Sequence, residues 1–172
     1  MKKALLIIDL QNDYFEGGKF PLWNTEKTLE NIEEAIDLAH KNDVTIVHIQ
    51  HVADPSLGLS PFFNEGTEGV KIHQRILEKA SEGKVVVKTF ADGFFKTDLE
   101  KVLSEIGAEE ILVCGMMTQN CVTHTAISKA AEKYKVSILA DCCTSVSEPI
   151  HLIGLAAVMT RDIGIVSYKE IL

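Results

Sequence analysis

Six short apolar runs, at positions 4–10, 44–50, 84–88, 111–115, 136–140 and 163–167, punctuate the 172-residue chain at regular intervals. Most are rich in Val, Ile and Leu with little polar alternation, which is the pattern of strands covered on both faces of a parallel sheet. Helical periodicity fills the intervals between them. Leu29, Ile32, Ile36 and Ala39 share one face of a segment over about 25–41, with Asn24 or Thr25 placed to cap it. Thr97-x-x-Glu100 has the form of a capping box, Leu99, Val102, Leu103 and Ile106 make a stripe, and Gly107 ends the helix. Asn120 can cap a helix whose buried line runs Val122, Ala126, Ala130 and Tyr134. Ser147 and Pro149 open a last helix bearing Leu152, Leu155, Ala156 and Met159. Strands alternating with helices predict an α/β fold, a three-layer αβα sandwich built on a Rossmann-like, doubly wound, mainly parallel six-stranded sheet.

With 46% hydrophobic and 24% charged residues and no repeat, linker or low-complexity tract, residues 1–172 read as a single domain. A chain of this size can build a core without disulfides or a structural metal. Its formal net charge of −8 gives no footprint for nucleic acid or an anionic membrane. Asp9 interrupts the first apolar run well short of a secretory signal, and no stretch has the length of a membrane span. Cys114, Cys121, Cys142 and Cys143 lack C-x-x-C spacing, so a cytoplasmic protein with free thiols is expected. No G-x-G-x-x-G or Walker-type phosphate cradle occurs, and no cofactor is expected.

In an open parallel sheet, ligands bind outside the carboxyl ends of the strands. Asp9 stands at that end of the first run, Lys88 at that end of the third, and Cys121 a short loop beyond the fourth, where a helix begins. A thiol at a helix start meets unpaired N–H groups and the positive end of the helix dipole, and a nearby Lys88 would favour the thiolate further. Asp9 can take the thiol proton and later return it to a leaving group. Backbone N–H groups around Met117 and Cys121 can form an oxyanion hole. His124, three residues after Cys121, offers a papain-like alternative that would leave Asp9 and Lys88 without a role. Gln11, Phe15, Trp23, His48, Phe62 and Phe94 are candidates for the walls of a substrate pocket. The segment 52–71 holds two prolines, three glycines and Phe62-Phe63, and reads either as a lid or as an excursion that buries two aromatic rings.

The chain resembles the isochorismatase-like cysteine hydrolases, the superfamily that includes nicotinamidases and N-carbamoylsarcosine amidohydrolase. The resemblance spans nearly the whole sequence. It runs from Leu6-Ile7-Ile8-Asp9-Leu10-Gln11-Asn12-Asp13, through Gly66-Thr67-Glu68-Gly69, Ile72-His73 and Lys88-Thr89-Phe90-Ala91-Asp92-Gly93-Phe94, to Gly115-Met116-Met117-Thr118-Gln119-Asn120-Cys121-Val122 and Thr125-Ala126. It implies a triad of Asp9, Lys88 and Cys121, a cis peptide at Met116–Met117 that aims the Met117 N–H into the oxyanion hole, a small-molecule substrate, and assembly as a homo-oligomer, a dimer or higher. Nicotinamidases of this superfamily carry an Asp-x-His motif with a second His six residues on; His51 fits its first His, but Ile49 and Leu57 stand at the other two positions. The expectation is therefore no metal and a substrate other than nicotinamide, with His48, His51 and Asp54 as pocket-edge or structural groups. Retention of Cys121 points to attack on an acyl or carbamoyl carbon. The alternatives are a vinyl ether hydrolase of the isochorismatase type that does not need the thiol, and a non-catalytic binding or redox-sensing protein on the same fold.

Overall fold

A computed structural model describes residues 1–172. All six expected strands form: β1 (Lys3–Ile8), β2 (Thr45–His51), β3 (Lys84–Lys88), β4 (Glu110–Met116), β5 (Lys135–Thr144) and β6 (Gly164–Val166). They pair in parallel throughout, in the order β3-β2-β1-β4-β5-β6. The chain therefore winds outward from β1 in one direction, then crosses back and continues on the other side. That reversal leaves a crevice at the carboxyl ends of β1 and β4, where such sheets bind ligands.

Burial follows from position in the sheet. Central β1 is apolar and buried from Ala4 to Ile8, as a strand with both faces covered must be. Edge strand β3 instead alternates, with Val86 buried while Val85 and Val87 face outward, so its apolar run does not mark two covered faces. Helix α1 (Thr25–Lys41) buries Leu29, Ile32, Ala35, Ile36 and Ala39 as the spacing predicts. The shorter helices are α2 (Gln74–Lys79), α3 (Leu99–Ile106), α4 (Thr123–Ala126), α5 (Glu148–Val158) and α6 (Tyr168–Ile171).

Several local expectations are corrected. Thr97 does not complete a capping box: Asp98 precedes α3 without a side-chain cap, and the Thr97 hydroxyl donates to the Gly93 carbonyl instead. Gly107 ends α3 in the left-handed conformation, as read. The helix expected after Asn120 is broken into a π-helical turn (Thr118–Val122), α4 and a 3-10 turn (Lys129–Lys133). Asn120 lies inside the first of these, and its carbonyl accepts from Thr123 Oγ1 and His124 Nδ1. Helix α5 begins at Ser147 as expected but buries Gly154, Leu155 and Val158, leaving Leu152, Ile153 and Met159 exposed. Strand β5 runs on through Asp141, Cys142 and Cys143, and all four cysteines are free and buried. No helix is long and apolar enough to cross a membrane.

Candidate active site

Four adjacent strands each bring one side chain to the crevice. Lys88 is the last residue of β3, His51 the last of β2, Asp9 the first beyond β1, and Cys121 lies in the π-helical turn after β4. Asp9 adopts a left-handed conformation (φ 52°), which Asp tolerates better than most residues, and its N–H still bonds to Ile49 at 2.9 Å. Gly115 admits the close approach of β4 to β1: a Cβ there would lie 2.0 Å from the Ile8 carbonyl oxygen, and its φ of 118° is one that L residues avoid. The following peptide, Met116–Met117, is cis.

At the centre is the Lys88 ammonium. It donates to Asp9 Oδ2 at 3.0 Å, to His51 Nδ1 at 2.9 Å and to Cys121 Sγ at 3.2 Å. The Asp9 and Lys88 side chains are inaccessible to solvent, and Cys121 is nearly so. Moving two such charges out of water costs several kcal/mol each, which mutual attraction and good hydrogen bonds must offset. The second Asp9 oxygen, Oδ1, is buried without a hydrogen-bond partner. One ligand atom from each of Asp9, His51 and Cys121 lies within 4.8 Å of the other two.

These groups tune one another. Burial drives the Lys88 ammonium down, but the Asp9 carboxylate and the Cys121 sulfur outweigh it and hold Lys88 above the ordinary lysine value. Burial and then the Asp9 carboxylate push the Cys121 thiol well above the usual cysteine range, against the pull of Lys88. The sequence expectation of a thiol lowered by a helix start is thus reversed, because Cys121 sits within a buried π turn beside a carboxylate. Burial first, then the Lys88 charge, hold His51 below the usual imidazole range. These shifts favour an ammonium at Lys88, a neutral imidazole at His51 and a thiol at Cys121.

The other candidates are distributed unevenly. Gln11 clamps His51, donating to its carbonyl at 2.7 Å and accepting from its N–H at 2.8 Å, and also donates to the Val70 carbonyl. His48 points away toward the turn before β3, with Nε2 against the Ala80 carbonyl at 2.7 Å. Phe15 packs on His73 at 4.4 Å and lines a separate cleft of about 450 Å³ that none of the four central residues touches. Phe94 stacks on Tyr134. Phe62 belongs to an aromatic cluster with Tyr14, Phe20 and Phe63, whose Phe63 ring lies 5.8 Å from that of His51. Trp23 lies exposed beside His151, whose Nδ1 meets Thr118 Oγ1 of the turn that holds Cys121.

Asp13 was not anticipated. Its buried carboxylate accepts from Phe63 N–H at 2.8 Å and from Lys19 N–H at 3.0 Å, stitching the 52–71 segment to the loop after β1. That segment buries Phe63 and half-buries Phe62, while Leu57 and Leu59 at its tip are exposed. Ile49 is buried in β2 and Leu57 is solvent-exposed, so neither supplies a ligand to the metal motif of the nicotinamidases. The residues present do not fit that site.

Comparison with known proteins agrees with the geometry. The isochorismatase domain model matches residues 3–166. The isochorismatase family protein YddQ of Bacillus subtilis is 37% identical over 153 residues, covering 88% of this chain and 82% of YddQ. An isochorismatase family protein from Desulfovibrio vulgaris superposes with a TM-score of 0.87 at 25% identity, covering 98% of this chain and 95% of that one. The nicotinamidase PncA of Bacillus subtilis gives a TM-score of 0.85 at 25% identity, covering 97% and 100%.

Proposed function

From the premise that this chain belongs to the isochorismatase family of hydrolases, we propose that it is a cysteine-dependent hydrolase of a small amide or carbamoyl compound. The observation that carries this reading is the buried Lys88 ammonium held jointly by the Asp9 carboxylate and the Cys121 sulfur. A thiol kept protonated beside a carboxylate needs a base only at the moment of attack, and the unpartnered Asp9 Oδ1 is there to serve.

Asp9 accepts the thiol proton as Cys121 Sγ attacks the carbonyl carbon, forming a C–S bond. Lys88 offsets the negative charge on the sulfur as it forms. The Met117 N–H, which bonds to no other backbone group, and that of Cys121 hold the oxyanion. The C–N bond then breaks and Asp9 delivers its proton to the departing amine. Water attacks the thioester, Asp9 takes a proton from it, the C–S bond breaks, and the thiol is regenerated with release of a carboxylic or carbamic acid. The likeness to a nicotinamidase supports the amide class, while Ile49 and Leu57 argue for a different substrate. Homo-oligomeric assembly belongs to the same reading, supported by the apolar face of α5 that Leu152, Ile153 and Met159 present to solvent.

The test is turnover of small amides and carbamoyl compounds by the wild type, Cys121→Ala and Asp9→Ala. The proposal expects both variants to be inactive on whatever substrate the wild type cleaves. Hydrolysis of a vinyl ether that survives Cys121→Ala would replace it with the thiol-independent mechanism. A wild type that turns over nothing while its thiol reacts with electrophiles would replace it with a binding or redox-sensing role.

A further inference from the structure

The structure assigns His51 as a positioning residue of the centre, whose Nδ1 is the third acceptor that fixes the Lys88 ammonium between Asp9 and Cys121. Its effect on turnover rests on the cysteine hydrolase reading; the three-acceptor arrangement is a matter of geometry alone.

An ammonium carries three N–H donors and no acceptor, and a buried one needs all three satisfied. Lys88 Nζ finds Asp9 Oδ2 at 3.0 Å, Cys121 Sγ at 3.2 Å and His51 Nδ1 at 2.9 Å. The third contact completes the set. Lysine is donor only, so His51 must present the lone pair of Nδ1 and carry its proton on Nε2.

Sheet order dictates the encounter. His51 and Lys88 are register partners on adjacent parallel strands, so their side chains leave the same face side by side. β2 lies between β3 and β1, so its last residue falls between Lys88 and Asp9. Gln11 then holds the His51 main chain from both sides, through the carbonyl at 2.7 Å and the N–H at 2.8 Å, and the Phe63 ring lies nearby. The Asp9-x-Gln11 pair thereby supplies both a charge partner for Lys88 and a brace for the residue that shares it. Without the imidazole acceptor, one N–H of Lys88 is left unpaired where solvent does not reach. The ammonium is then less stable and free to turn from the sulfur, which loses part of the charge that favours its thiolate.

His51→Leu and His51→Asn test this, because the Asn side-chain oxygen can stand in for the Nδ1 lone pair and Leu cannot. Two readouts are followed beside thermal stability: the pH profile of Cys121 alkylation by iodoacetamide, and kcat and KM on an amide that the wild type cleaves. His51→Leu is expected to slow alkylation and shift its profile to higher pH. It is also expected to lower kcat by about 10- to 100-fold, the factor that one hydrogen bond to a charged group controls, with KM little changed. His51→Asn is expected to restore most of both. A His51→Leu protein with an unaltered alkylation profile and kcat, less stable or not, would overturn the assignment, as would equal losses in the Leu and Asn variants. Alkylation needs no turnover, so a shifted profile in a protein that hydrolyses nothing would uphold the three-acceptor arrangement while sinking the hydrolase reading.

Discussion

At the scale of single residues, the centre separates a thiol's acidity from its usefulness. Burial and the Asp9 carboxylate hold the Cys121 thiol up, so the proposed attack on substrate needs a base as well as a nucleophile. Asp9→Asn should therefore split two properties that usually travel together. With the negative neighbour gone, its upward push on the thiol is lost, the thiolate forms at lower pH, and alkylation at neutral pH speeds up. Hydrolysis should fall by about 100- to 10,000-fold, since the proton acceptor and donor is lost. Parallel iodoacetamide and turnover profiles check this, and hydrolysis that survives in Asp9→Asn would argue against Asp9 as the base. Lys88→Met should leave the Asp9 charge buried and unpaired at a cost of roughly 3–5 kcal/mol in a denaturant titration. The double variant Asp9→Asn, Lys88→Met should recover much of that loss, because no uncompensated charge remains.

At the scale of elements, what could be read from the chain depended on whether a local pattern had one interpretation. The strand ends that bear Asp9 and Lys88 were legible, because apolar runs in a parallel sheet end where ligands bind. The partnership of His51 was not. It depends on β2 lying between β3 and β1, and strand order is invisible to periodicity. The buried face of α5 is not legible because its sequence is apolar nearly all round, from Ile150 through Val158, so helical spacing fits more than one stripe. The face actually buried is set by Gly154, where a Cβ would approach Gln119 Cα to 2.9 Å. Gly154→Ala should push α5 off the turn that carries Cys121. The expected cost is about 1–3 kcal/mol in stability, by thermal or denaturant unfolding, together with a fall in kcat. An unchanged kcat would show that α5 does not brace the nucleophile turn.

At the scale of the whole molecule, the doubly wound sheet makes a four-residue centre from four adjacent strands, with the chain reversal between β1 and β4 supplying the crevice. The 52–71 segment closes one side through Asp13 and Phe63, an arrangement that two readings of the same loop could not decide from sequence. The apolar surface of α5 predicts a native mass that is a multiple of the 19.0 kDa chain, measured by light scattering during size-exclusion chromatography. Substituting Leu152 and Ile153 with Glu should reduce that mass, and a wild type that elutes as a monomer would contradict the assembly.

The proposed mechanism stands on covalent chemistry at one sulfur, which intact-protein mass spectrometry of enzyme quenched during turnover of a cleaved amide can detect. It predicts an added mass equal to the acyl or carbamoyl fragment, located on Cys121 by peptide mapping and absent from Cys121→Ala. Sustained hydrolysis with no adduct, continuing in Cys121→Ala, would contradict it.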